Sequence, residues 1–253
     1  MAEPSYEDRY GKLQAALFKR AGLAAQSRYV ILPGVGRVHL FEAGSGEPIV
    51  FLHGGAGIGA DHIQVVARLA KRFRVVVPDR PGHGLSDPHD YGKQDLRESN
   101  VTFVGALLDA LGIRRAALVG NSYGGFMAIN FARTHPERVS HLVHLSFSPG
   151  LLHRRLPLMM RLVVMPVIGT VLGATVGRPS DKNTRRFFGK LIVAHVDRMP
   201  DELVRSVTPP LRATKTPPIR PQPAPPEAHL TLQIAGPVVL DWGNGLRFQI
   251  GPA

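Results

Sequence analysis

Gly120-Asn121-Ser122-Tyr123-Gly124-Gly125 sits between an apolar run, Ala116–Val119, and a stretch with helical spacing, Phe126–Thr134, that Pro136 stops. The segment fits G-x-S-x-G in the context that motif needs, a strand before it and a helix after it. A serine on so sharp a strand-to-helix turn has a strained backbone, and its small neighbours leave room for that turn. The hydroxyl then projects above the sheet. The backbone N–H of Tyr123, at the start of the helix, is free to face a developing oxyanion. An ordinary glycine-rich turn would share the composition but not the flanking strand and helix.

The pattern extends outward from this turn in both directions. Pro48–Leu52 is a continuous apolar run that ends in His53-Gly54-Gly55-Ala56-Gly57, as a buried parallel strand and its C-terminal loop would. Phe73–Val77 is a second such run, followed by Pro78-Asp79-Arg80-Pro81-Gly82-His83-Gly84-Leu85-Ser86-Asp87. Arg28–Leu32 and Arg37–Glu42 read as strands joined at Pro33-Gly34-Val35-Gly36, and Val139–Leu145 as a further strand. Helical spacing covers 6–24, 60–72 and 94–111, the last ended by Gly112. Strands alternating with helices of this length imply βαβ units and an α/β fold with a mostly parallel sheet.

The order and spacing of the His53, Pro78–Asp87 and Gly120–Gly124 segments closely resemble the α/β-hydrolase family from about Val38 to Pro149, and more loosely to about Val207. The resemblance implies that Ser122 is the nucleophile and that the N–H groups of Gly55 and Tyr123 form the oxyanion hole. No residues show metal-ligand spacing, so no cofactor or metal is expected. His53 is expected to orient its loop, and His83, Ser86 and Asp87 to stabilise theirs. The Asn-Ser pair is similar to the elbows of carbon–carbon bond hydrolases acting on ring-cleavage products. A serine at this point argues against epoxide hydrolases and haloalkane dehalogenases. The function so implied is hydrolysis of an ester, or a related acyl or carbon–carbon bond, in a small hydrophobic substrate.

A serine hydroxyl needs a base to take its proton. In the resembled family the acid follows Ser, and the histidine comes last. Val238–Leu240 leads into Asp241-Trp242-Gly243, but the acid precedes the tryptophan, and no histidine follows His229. His195 with Asp197 falls in the expected lid, and His229 with Asp241 is in the wrong order. The alternative reading is therefore a catalytically defective or truncated relative that only binds a hydrophobic ligand.

The pattern divides the chain into an α/β-hydrolase core over 28–150, a helical lid over 151–207, a proline-rich linker over 208–228 and a weakly strand-like segment over 229–253. The lid stretch is apolar from Leu151 to Met165 and serves equally well as a substrate roof or as a helix packed on the core. Eight of the 18 residues in 209–226 are proline, which excludes helix and central strand. Asn244-Gly245 offers a tight turn between Val238–Leu240 and Leu246–Ile250. The last strands of the fold are thus expected to be missing or replaced, which would leave the sixth strand a hydrophobic edge. The shift near Pro209 reads as a changed reading frame or a truncated gene. Translating the coding DNA beyond codon 207 in the other two frames tests this.

The chain of 253 residues has a net charge of +12, with 17 basic against 13 acidic residues up to position 149 and 14 against 6 beyond it. The basic residues are scattered and no recognition motif accompanies them, so nucleic acid is not expected as a partner. Arg154, Arg155 and Arg161 interrupt the apolar lid stretch and make a basic amphipathic segment of the kind that rests on a membrane surface, a reading ranked below substrate roof and core packing, so a membrane partner is not expected. With no cysteine, disulfides, thiolate metal sites and a cysteine nucleophile are excluded. A charged N-terminus without an apolar core suggests a cytoplasmic protein. No motif speaks to the oligomeric state.

Overall fold

The apolar runs bounded by glycine and proline become strands, and the period-2 pattern decides which helix each residue meets. The computed structural model describes residues 5–55, 57–89, 95–145, 180–191, 196–205, 238–241 and 247–250. Strands β1 (Ala25–Leu32), β2 (Gly36–Ala43), β3 (Pro48–Leu52), β4 (Arg74–Pro78), β5 (Ala116–Asn121) and β6 (Val139–Leu145) form one sheet in the order β1-β2-β4-β3-β5-β6. The strands from β4 to β6 run parallel, while β1 and β2 form an antiparallel hairpin whose second strand pairs antiparallel with β4. The sheet is therefore mixed, with the parallel half carrying the motif loops at its C-terminal edge.

The central strands are buried on both faces. Phe51, Val75 and Val77 pack on one side against α1 (Tyr6–Arg20) and α2 (Ile63–Leu69). Val50, Leu52, Val76 and Leu118 pack on the other against α3 (Leu96–Ala110) and α4 (Tyr123–Thr134). The helix expected over 6–24 ends at Arg20, and Gly22 follows with φ +61°. Ser5 and Asp8 form a capping box at its start, each side chain serving the other's backbone N–H. Tyr10, Gln14 and Leu17 are buried, so the packed core begins well before residue 28.

The helix expected over 60–72 is shorter. Its first turn is a 3-10 turn, Gly59–His62, and Asp61 and Asp79 take the N–H groups of Ile58 and Gly59, which a helix start leaves without a ladder partner.

Of the expected lid, 151–179, 192–195 and 206–207 lie outside the described residues, as do the linker and most of 229–253. The described part holds α5 (Asp181–Leu191), a 3-10 turn (Val196–Arg198) and helical residues 201–205. Met199 and Val204 bury themselves in the cluster of α1 and α2. At the chain's end, β7 (Val238–Asp241) and β8 (Arg247–Ile250) pair antiparallel as a separate two-stranded sheet. β7 lies beside β6 without joining its ladder, so β6 closes the main sheet among the described residues.

Candidate active site

Ser122 stands where β5 ends and α4 begins, with φ +49° and ψ −114°. It is the one non-glycine residue with positive φ among the described residues. Three backbone bonds hold it there: its N–H donates to Leu145 O of β6 at 2.9 Å, and its carbonyl accepts from Gly125 N–H at 2.9 Å and Phe126 N–H at 3.4 Å. The residue is exposed. Tight packing beneath explains the small neighbours. Gly124 presses on the backbone of Leu52 and His53, and any side chain there would collide with the Leu52 carbonyl.

The loop after β3 lies against this turn. A Cβ on Gly54 would sit 2.9 Å from Asn121 Oδ1 and 3.4 Å from Ser122 Cβ, and one on Gly55 would sit 3.9 Å from Tyr123 Cβ. The three residues singled out from the sequence, Ser122, Gly55 and Tyr123, are thus neighbours in space.

His53 is fully buried and uses both ring nitrogens. Its Nε2 accepts the Arg80 N–H at 2.9 Å, which places the proton on Nδ1 for donation to Gly54 O at 3.0 Å. Burial, reinforced by the neighbouring Arg80 charge, holds its pKa well below the ordinary imidazole value, so it stays neutral. A ring so engaged has no lone pair left for Ser122.

Arg80 escaped the sequence reading. It is 2% exposed, and its guanidinium donates to Gly54 O at 2.8 Å and Gly55 O at 3.0 Å and lies over the Tyr123 ring at 4.8 Å. It therefore ties the Gly54–Gly55 loop to the residue after Ser122. The one available signal was an arginine between Asp79 and Pro81, two residues beyond a buried strand. His83 completes the arrangement. Its Nδ1 lies 3.1 Å from Pro81 O, its Nε2 lies 2.9 Å from Gly55 O and 3.0 Å from Arg80 Nη2, and burial lowers its pKa to about 4. Ser86 and Asp87 bind within the same loop region, Ser86 to Asp79 O and Asp87 to Arg37.

Tyr123 points away from the loop, its hydroxyl donating to Asn100 Oδ1 at 3.2 Å. Beyond it a cavity of about 350 Å³ is lined by Pro81, His89, Ser99, Asn100, Phe103 and Met127 among others, and Ser122 is not among its described lining residues. His195 and His229 lie outside the described residues. Asp197 lies in the exposed 3-10 turn and Asp241 ends β7.

Residues 47–164 match the family model described as alpha/beta hydrolase fold. The 2-hydroxy-6-oxo-6-phenylhexa-2,4-dienoate hydrolase of Burkholderia cepacia is 40% identical over 111 residues, which cover 42% of this chain but only 38% of the relative. A 2-hydroxy-6-oxononadienedioate/2-hydroxy-6-oxononatrienedioate hydrolase of Burkholderia vietnamiensis is 32% identical over 245 residues, covering 89% of this chain and 81% of the relative. Among solved structures, the meta-cleavage product hydrolase of Pseudomonas fluorescens IP01 superposes with a TM-score of 0.57 at 27% identity, over 73% of this chain and 63% of that one. With the Burkholderia vietnamiensis relative 32% identical over 89% of this chain and 81% of its own length, and with the sheet and strand-to-helix turn described above, this chain belongs to the α/β-hydrolase fold family.

Proposed function

We propose that the chain is a serine hydrolase of an ester, or of a related acyl or carbon–carbon bond, in a small hydrophobic substrate. Ser122 Oγ attacks the carbonyl carbon, and the N–H groups of Gly55 and Tyr123 hold the oxyanion that forms. The observation that carries this reading is the left-handed backbone of Ser122, kept at φ +49° by three hydrogen bonds while its side chain stays exposed. Strain of this kind is retained where the surroundings over-determine it, commonly at reactive sites. Arg80 supports the same reading from behind, since it fixes both carbonyls of the Gly54–Gly55 loop. Two relatives are named for hydroxy-oxo-dienoate substrates, and a dienoate of that class is the substrate to try first.

A second reading has its own observation. The buried carboxylate–imidazole pair His39–Asp79 faces Ser27 and not Ser122, and His53 is saturated. Without a base, the chain would be a defective relative that binds a hydrophobic ligand only. Loss of the base lowers turnover by several orders of magnitude. A fluorophosphonate probe and a p-nitrophenyl ester separate the two. An adduct on the peptide 116–133 and ester turnover that both vanish in Ser122→Ala support the enzyme, whereas a folded wild-type protein with neither supports the binder.

A further inference from the structure

Among the described residues, the carboxylate–imidazole–hydroxyl arrangement occurs at His39 and not at Ser122. His39 Nδ1 lies 2.8 Å from Asp79 Oδ2, and its Nε2 lies 2.6 Å from Ser27 Oγ. The Asp79 carboxylate already accepts the N–H groups of Gly59 at 2.8 Å and Leu85 at 3.1 Å, so it is the acceptor and His39 Nδ1–H the donor. That tautomer leaves the Nε2 lone pair facing the Ser27 hydroxyl. His39 and Asp79 are each 1% exposed, and the rings of Tyr10 and Tyr29 stand edge-on to the imidazole at 6.4 and 5.3 Å. Ser27 itself is exposed, on the outermost strand β1.

A fourth residue completes the set. Gln14 is 2% exposed, its Oε1 lies 3.2 Å from Ser27 Oγ, and its Nε2 has no partner. A hydroxyl has one proton. That proton serves either Gln14 Oε1 or His39 Nε2, and attack by Ser27 requires it on the His39 side.

The geometry points to Ser27 as a second acyl-accepting serine, activated by His39 and Asp79 independently of Ser122, for small activated acyl or phosphonyl electrophiles that arrive from solvent. In the step, the Ser27 hydroxyl proton passes to His39 Nε2 as Oγ bonds to the electrophilic carbon or phosphorus. The bond from that atom to its leaving group breaks, and the leaving group takes the proton from His39. The products are acyl-Ser27 and a free alcohol or phenol, or, with a fluorophosphonate, phosphonyl-Ser27 and hydrogen fluoride. Asp79 holds the imidazolium in place between the two transfers.

Trypsin separates this serine from the other. Residues 21–28 form a peptide whose one hydroxyl belongs to Ser27, and residues 116–133 form the peptide that carries Ser122. Full-length protein is treated with a fluorophosphonate probe and both peptides are read by mass spectrometry. An adduct on 21–28 is expected in the wild type and in Ser122→Ala, and is expected to disappear in Ser27→Ala with any adduct on 116–133 unchanged. His39→Gln, if folded by circular dichroism, should slow the 21–28 adduct on the order of 100-fold, the usual worth of a general base. A folded Ser122→Ala protein without an adduct on 21–28 overturns the proposal, as does an adduct that forms equally fast in His39→Gln. Because the peptides are scored separately, failure at Ser27 leaves the reading of Ser122 standing, and failure at Ser122 leaves that of Ser27.

Discussion

At Ser122 the backbone is strained so that the side chain can be presented. A residue with a Cβ held at φ +49°, ψ −114° costs about 1–3 kcal/mol, a cost that glycine does not carry. The three bonds to Leu145, Gly125 and Phe126 keep the turn in place whatever the side chain. Ser122→Gly should therefore be more stable than Ser122→Ala by about 1 kcal/mol in urea unfolding, the reverse of the usual order of alanine and glycine. Equal midpoints would mean that the turn relaxes and that no strain is stored. This residue was legible in the sequence because glycines at 120 and 124 have a single steric explanation when a strand precedes and a helix follows. Arg80 was not legible. Its partners are backbone carbonyls 25 and 26 residues away, and a carbonyl leaves no mark on the sequence.

Among the elements, the strands were read most faithfully. β3 and β4 are buried on both faces, and continuous apolar runs have few other uses. α1 was recognised as a helix but not as part of the core, because its polar face dominates its composition. Leu17 on that helix is 2% exposed and packs in the same cluster as Phe41 and Val77. Leu17→Ala should cost about 3 kcal/mol, as for other buried leucines, measured from the shift in a denaturation midpoint. A loss below about 0.5 kcal/mol, the level of an ordinary surface change, would show that α1 is an appendage. The reading of 60–72 as one helix failed for a related reason. Asp79 comes from the end of β4 to take the Gly59 N–H, and Asp61 takes that of Ile58, contacts that no local periodicity reports. β6 and β7 mark the other limit: the strand pattern near 238–241 was visible, but its failure to join the β6 ladder is a property of pairing and not of pattern.

The whole molecule gathers buried ionisable groups around the loops at the C-terminal edge of the sheet, and their signs oppose one another. Burial lowers His62 and His83 to about 4 and holds His53 well below the ordinary imidazole value, with Arg80 adding to the effect on His53 and His83. In the unfolded chain these rings take up protons near pH 6.5, which the native state refuses. The stability they confer is complete above pH 6.5 and is lost as pH falls toward 4. Asp61 behaves oppositely. Its carboxylate is buried, with Oδ1 lacking a partner, although the residue as a whole is only half-buried, and burial raises its pKa from 3.8 to about 7. The native state keeps that proton where the unfolded state has lost it, so the stabilisation is complete below pH 3.8 and disappears as pH rises through 7. Three histidines outweigh one carboxyl, and net stability should fall on acidification from pH 6.5 to 4. Asp61→Asn removes the opposing contribution. Its stability relative to wild type should climb between pH 4 and 7, by on the order of 4 kcal/mol at most, and stay level above 7. Urea unfolding of both proteins at half-unit steps from pH 4 to 8 measures the difference directly. Curves that run parallel across that range would show that Asp61 is solvated and ionised like a surface carboxylate, and that the turn from Ile58 to His62 is open to water.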